Sequence, residues 1–317
     1  MTYLYAAFGG TLQTEIEIPE LVRAPDGAVP TWSLRLAEPA AAEPGDAVLG
    51  SDVVYGTCEV HGFLGRDAYR LVFDDTGRFD VSRDGRTMTW FRPAEASLSS
   101  AIADVTSRVI ALALHAGGVY SLHASAVSLD GNGIAFVAPK FHGKSTLCSA
   151  MVRAGALAMS DDTVPVMMDG GTRLAPGIPR LRLWGDSASR FFDSPQEQRE
   201  QGRKYLIERL PEDQVETRTV PFSAAYVLSP VANLGDGSAV QRERLGSISA
   251  VMSLLTHAKL GPILGGTEAQ VLLSRAAAIA ESVPVYELNV IRDLDRVEEV
   301  ARTIAGWHQA GAPASAR

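Results

Sequence analysis

A glycine, a lysine and two hydroxyls follow one another at Gly143-Lys144-Ser145-Thr146, directly before an apolar run of helical character. That order suits phosphate binding. The first amides of a helix lack acceptors and carry partial positive charge, so they hold phosphate oxygens. Gly143 lets the backbone approach closely, Lys144 would reach the β- and γ-phosphates, and Ser145 would ligate Mg2+. The strict phosphate-loop pattern asks for a glycine five positions before Gly143. Ala138 stands there, followed by Pro139, Lys140, Phe141 and His142. Ala138 loses some backbone freedom and Pro139 removes one amide donor, for which the charge of Lys140 can substitute. Lys140, His142, Gly143, Lys144, Ser145 and Thr146 are therefore candidate nucleotide contacts. Taken alone, the run is equally a surface loop that begins a helix. Only four lysines occur in the chain, at 140, 144, 204 and 259, and two of them lie in this loop.

Two carboxylates come next. Asp161 and Asp162 end the apolar stretch "ALAMS", where acidic residues can face Mg2+ across such a loop. The same "SDD" is also ordinary turn chemistry. His123 lies upstream in "LHASAV"; a single histidine on a strand is more often structural than chemical. Arg203 and Lys204, in "QGRKYLIERL", offer cations for a γ-phosphate or simply a solvated charged segment.

The elements that must position these groups follow from periodicity and turn residues. "YSLHASAVSL" and "GIAFVA" read as strands joined at Asp130-Gly131-Asn132-Gly133. The loop and a helix from Lys144 to about Arg153 follow, with Gly155 as the stop. Upstream, Ser97 or Ser99 can cap a helix whose buried face is Ile102, Val105, Val109 and Leu112, ended by Gly117-Gly118. Residues 1–95 read as a small antiparallel β unit. Its strands are "YLYAAF", "TWSLRLAEP", "YRLVFDD" and "TMTWFRP", with turns at Asp75-Thr76-Gly77 and Arg83-Asp84-Gly85 and a Pro/Ala-rich connection over 37–47. Beyond the loop, "PFSAAYVLSP" and "VPVYELNV" read as core strands. "SISAVMSLLTHA", "TEAQVLLSRAAAIAES" and "LDRVEEVARTIAGWHQA" read as helices, and 311–317 as a loose tail.

Bulk properties narrow the class. The 317 residues suffice for two domains or one large one, and 46% hydrophobic with 21% charged residues fits a folded globular chain. A net charge of −8 argues against a broad nucleic-acid surface. Cys58 and Cys148 form no metal or disulfide pattern, which fits a reducing cytoplasm. No apolar run reaches the roughly 18–20 residues of a membrane span, and the N-terminus lacks the basic start of a signal peptide. Neither a membrane nor a nucleic-acid partner is expected; homo-oligomerisation stays open.

The stretch "LHASAVSLDGNGIAFVAPKFHGKSTLCSAMVRAGALAMSDD" resembles the core of the HPr kinase/phosphorylase family. The shared parts, in order, are a histidine strand, a turn, a strand into a phosphate loop, a helix ending near "RG" and a strand ending in two aspartates. "PGIPRLRLW", "RKYLI" and "VPVYELNVIRDL" resemble the stand-alone HPr-kinase-like proteins, including those of lasso peptide pathways. The resemblance covers roughly residues 97–308. It implies an α/β fold with a P-loop kinase core of mixed sheet and helices over 96–310; the β-rich domain over 1–95 that precedes it does not look like the family's usual N-terminal domain and could dock substrate. It further implies ATP and Mg2+ as cofactors and phosphorylation of a serine hydroxyl. Asp161 would be the base, His123 its neighbour, and Asp162 with Ser145 the metal ligands. The loop is poorer in glycine than the family's, and the family's HPr-docking signature is missing. A peptide or small protein, such as a lasso-type precursor, is thus the expected acceptor. The alternatives are a catalytically weakened nucleotide-binding regulator and a kinase of a small-molecule alcohol.

Overall fold

The computed structural model describes residues 1–39, 46–54, 56–178, 180–191, 198–201, 204–207 and 210–309. The tail 311–317, Arg203 and most of the 37–47 connection lie outside the described residues. Among the described residues the fold is mixed α/β, with two nine-stranded sheets and a three-stranded one.

The first sheet uses residues 3–91, and its spatial order is not that of a plain meander. Hairpins join Ala68–Phe73 to Gly77–Ser82 and Gly77–Ser82 to Thr87–Phe91 at the two expected turns. However, Trp32–Ala37 lies parallel to both Gly10–Thr14 and Thr87–Phe91. The expected antiparallel unit is therefore a mixed sheet. Turn signals report only hairpins, whereas a parallel pair needs a crossover whose partner is not local. One face carries Leu71, Phe73, Phe79, Val81, Met88 and Trp90, all at most 2% exposed.

Against that face packs a continuous helix, α from Leu98–Asp104, π from Val105–Val109 and α again from Ile110–Ala116. Ser97 caps it by accepting from the Ser100 amide, and Gly118, with φ of 91°, turns the chain out. The four expected core residues are buried, but so are Asp104, Thr106 and Ser107. By length and composition the helix is long and apolar enough to cross a membrane, contrary to the expectation that no run would be. Most of it is buried within the fold.

The second sheet places Asn132–Val137 at its centre, between Ala124–Leu129 (antiparallel) and Val220–Val231 (parallel). Leu157–Asp161 pairs with the far edge of Ala124–Leu129, so that Asp161 lies opposite Ser125. Val285–Ile291 adds parallel to Val220–Val231. Helices Lys144–Arg153 and Val297–His308 cover this sheet through Leu147, Met151, Val300 and Ile304 over Phe136, Tyr226 and Leu288. The strand expected over "YSLHASAVSL" divides at His123: Tyr120–Leu122 pairs with Val164–Met167, and Ala124–Leu129 with Asn132–Val137 and the edge strand Leu157–Asp161. That division bends the chain where the candidate histidine sits.

Candidate active site

The strand Asn132–Val137 runs into the loop, and the helix begins at Lys144 after Gly143, whose φ is 87°. The alanine at the start of the loop is accommodated. Ala138 is fully buried and packs with Leu147 and Phe136 in the second core cluster. Positive φ falls at Phe141 (72°) and Gly143, not at Ala138, so no glycine is needed there. Lys144 is buried and its Nζ donates to the carbonyls of Ala138 at 2.7 Å and Pro139 at 3.3 Å, holding the ammonium inside the loop. His142 Nδ1 lies 3.0 Å from the Lys140 carbonyl, and both side chains are exposed. The loop encloses a hollow of about 150 Å³ that is also lined by His123, Asp161 and Asp162.

The two aspartates face different ways, as neighbours at a strand end do. Asp161 accepts from Ser145 Oγ at 3.0 Å and from Ser125 Oγ at 2.5 Å. Asp162 turns aside with φ of 109°, a region rarely used by a residue with a side chain. Its amide donates to the Ala124 carbonyl at 2.9 Å. Its carboxylate meets His123 Nδ1 at 3.1 Å, Lys259 Nζ at 2.6 Å and the Ser107 hydroxyl at 2.9 Å. Such strain persists only where the surroundings fix it, and it clusters at functional sites.

Lys259, Ser107 and His257 were not apparent from the sequence. Lys259 and His257 arrive because residues 257–259 zip onto 121–123: the His123 amide donates to the His257 carbonyl and the Lys259 amide to the Ser121 carbonyl, both at 2.8 Å. The one available signal was that Lys259 belongs to the chain's four lysines. Burial pushes the His123 pKa down, opposed in part by its hydrogen bond to Asp162. Burial, reinforced by Lys144 and the neighbouring histidines, takes His257 to about 4. Both imidazoles are thus held towards the neutral form near pH 7, in which His123 Nδ1 donates to Asp162.

The depressed His257 pKa has a sign. An unfolded histidine titrates near 6.5, so between about 6.5 and 4 the unfolded chain binds the extra proton and the native state does not. Stability present above that window is lost as pH falls through it. His308, held at about 4 by burial and Arg242, adds in the same direction. Melting temperatures measured from pH 7 to 4 should fall less steeply for His257→Gln than for wild type; parallel curves would contradict this environment for His257.

Two larger cavities flank the loop. One, of about 630 Å³, opens from His123, Asp162 and Lys259 towards Asp52 and Val54 of the first sheet. The other, of about 320 Å³, lies on the opposite flank between Gly143, Thr146 and Leu147 and the apolar side chains Leu228, Val290 and Val297. Phe141 borders both. Thr146 Oγ1 sits 3.1 Å from Ser187 Oγ on the wall of the second. The structure thus brings together His123, the loop residues 140–146 and both aspartates. Lys204 begins the strand Lys204–Ile207, but the position of its side chain is not among the described features, and Arg203 is outside them.

No family model matches the chain, and no curated protein matches it. Among solved structures, the Hpr(Ser) kinase/phosphatase from Coxiella burnetii is similar, at 12% identity and a TM-score of 0.31, covering 60% of this chain and 95% of that one. Likeness at that level is too slight to assign fold or chemistry, so the site's own geometry must carry the functional reading.

Proposed function

We propose that the chain is a nucleotide-dependent phosphotransferase that moves the γ-phosphoryl group of ATP to an alcohol, a serine hydroxyl of a peptide or small protein. The observation that carries this is the division of the two aspartates: one meets the loop serine, while the other sits in a histidine–lysine cluster on a separate cavity. A bare nucleotide binder needs only the first of these.

Ser145 and Asp161 converge as two hard oxygen donors beside the loop. Mg2+ characteristically takes one or two protein oxygens and fills its other positions with phosphate and water, so this pair fits it. When bound, Mg2+ would neutralise charge on the phosphates. The amides at the start of the helix and Lys144 bind phosphate oxygens, and the apolar cavity beside Thr146 and Leu147 takes the nucleoside. The acceptor enters through the larger cavity. Its oxygen attacks the γ-phosphorus, the bond from that phosphorus to the bridging oxygen breaks, and ADP leaves. The hydroxyl proton passes to the Asp162 carboxylate, which His123, Ser107 and Lys259 hold in place. This reading reverses the order implied by the family resemblance, with Asp161 on the metal side and Asp162 as the proton acceptor.

The direct test is mass spectrometry after incubation with ATP, Mg2+ and serine-containing peptides. A gain of one phosphoryl group on a peptide hydroxyl is expected. Phosphorylation confined to free sugars or amino acids would move the acceptor to small molecules, and transfer to nothing, with ATP bound, would favour a regulatory nucleotide binder.

A further inference from the structure

We propose that Phe141 shields the phosphoryl group from water during transfer, so that it reaches the acceptor instead of being hydrolysed; the proposal rests on the phosphotransfer reading above. Its place is the first reason. Lys140 lines the acceptor cavity, with Ser107, Arg108 and Asp162, but not the nucleoside cavity. His142 lines the nucleoside cavity but not the acceptor cavity. Phe141, between them in sequence, lines both, and also the hollow beside Ser145 and Asp161. Among the described residues no other lines both cavities. A group that moves from a nucleotide on one flank to a hydroxyl on the other therefore passes this ring.

The residue's own conformation is the second reason. A φ of 72° is open to glycine and unfavourable for a bulky side chain. Phe141 is also 64% exposed, so little packing offsets the backbone strain and most of the ring's apolar surface meets water. Packing within the fold accounts for neither feature, and strain of this kind is retained at sites of function. A phenyl ring suits one task here. It offers no hydrogen-bond donor or carboxylate, so it takes no part in binding phosphate or moving a proton. It is large and apolar, so between a bound nucleotide and a bound acceptor it displaces water. Water is the competing nucleophile. Its oxygen attacks the γ-phosphorus as the acceptor's does, the bond to the bridging oxygen breaks, ADP and inorganic phosphate leave, and the proton passes to Asp162. Water also outnumbers any acceptor, so transfer depends on withholding it.

The experiment follows phosphate release from Mg-ATP, with no acceptor added, in wild type, Phe141→Gly and Phe141→Ala. Both variants remove the ring, and only glycine also relaxes the backbone. Release should rise about tenfold or more in both, because closure of a site is what suppresses hydrolysis. In oxygen-18 water the released phosphate should carry solvent oxygen, and adding Lys144→Ala should abolish the rise. The melting temperature of free Phe141→Gly should not fall by more than about 2 °C, since a strained position is relieved. Release unchanged in both variants, a rise in the glycine variant alone, or a rise that survives Lys144→Ala would overturn the inference. So would a larger fall in melting temperature, which marks a packing role, or a tenfold loss of Mg-ATP affinity without extra release, which marks stacking on the base. The melting shift of the wild type with Mg-ATP separates the two levels. A shift with release unchanged in the variants removes only the role of Phe141, whereas no shift removes the nucleotide reading and this inference with it.

Discussion

Asp162→Asn should slow phosphoryl transfer by roughly 10²- to 10⁴-fold, the usual worth of a positioned general base, while Mg-ATP still raises the melting temperature. The substitution is nearly isosteric, and the amide oxygen can still accept from Ser107 and Lys259. What it loses is the negative charge that takes the acceptor's proton. Asp161→Asn should behave differently. It withdraws charge from the Ser145 side, so a higher Mg2+ concentration should be needed for the same rate, with transfer recovering in part as Mg2+ is raised. Titrating Mg2+ against the rate for both variants separates the roles. Near-wild-type transfer in Asp162→Asn would remove the base from this account, and a Mg2+ response confined to Asp162→Asn would restore the opposite order.

Lys144→Ala should abolish nucleotide binding at concentrations that saturate the wild type. The ammonium is already inside the loop, spanning the Ala138 and Pro139 carbonyls. Phosphate oxygens are stronger acceptors than these carbonyls because they are charged. The substitution thus removes the group best placed to bind β- and γ-phosphates and also uncaps two carbonyls, so the loop itself should loosen. A modest fall in the melting temperature of the free protein should accompany the loss of the nucleotide shift. Isothermal titration calorimetry with Mg-ATP checks the first effect, and scanning calorimetry the second. A Lys144→Ala protein that binds Mg-ATP within about threefold of wild type would show that the loop's lysine makes no phosphate contact.

The parts of this site that were legible in the sequence are local. The strand into the loop, the helix Lys144–Arg153 and the stop at Gly155 are encoded by neighbouring residues, and Gly155 has φ of 101°. Ser97 as a cap and the turns at residues 75–77 and 83–85 were legible for the same reason. The rest depends on contacts between distant segments. Ser107, Arg108 and Asp52 come from the first sheet and the helix on it, and Lys259 from a segment that zips onto residues 121–123. No period or spacing reports such pairings. The mixed pairing of the first sheet was hidden in the same way. Which way each aspartate faces was unreadable because adjacent residues at a strand end diverge, and Asp162 further departs from the strand at φ of 109°.

The most direct test of the central claim, that this loop binds a nucleotide's phosphates for transfer, is the melting temperature of the wild-type protein with and without Mg-ATP. A ligand present at about 100 times its Kd and bound only by the native state adds roughly 2.7 kcal/mol. In a chain of this size that corresponds to a rise of roughly 4 °C. The account predicts that rise with Mg-ATP, a smaller one when EDTA removes Mg2+, and none in Lys144→Ala. A wild-type protein whose melting temperature stays unmoved by millimolar Mg-ATP, Mg-GTP and pyrophosphate would contradict it.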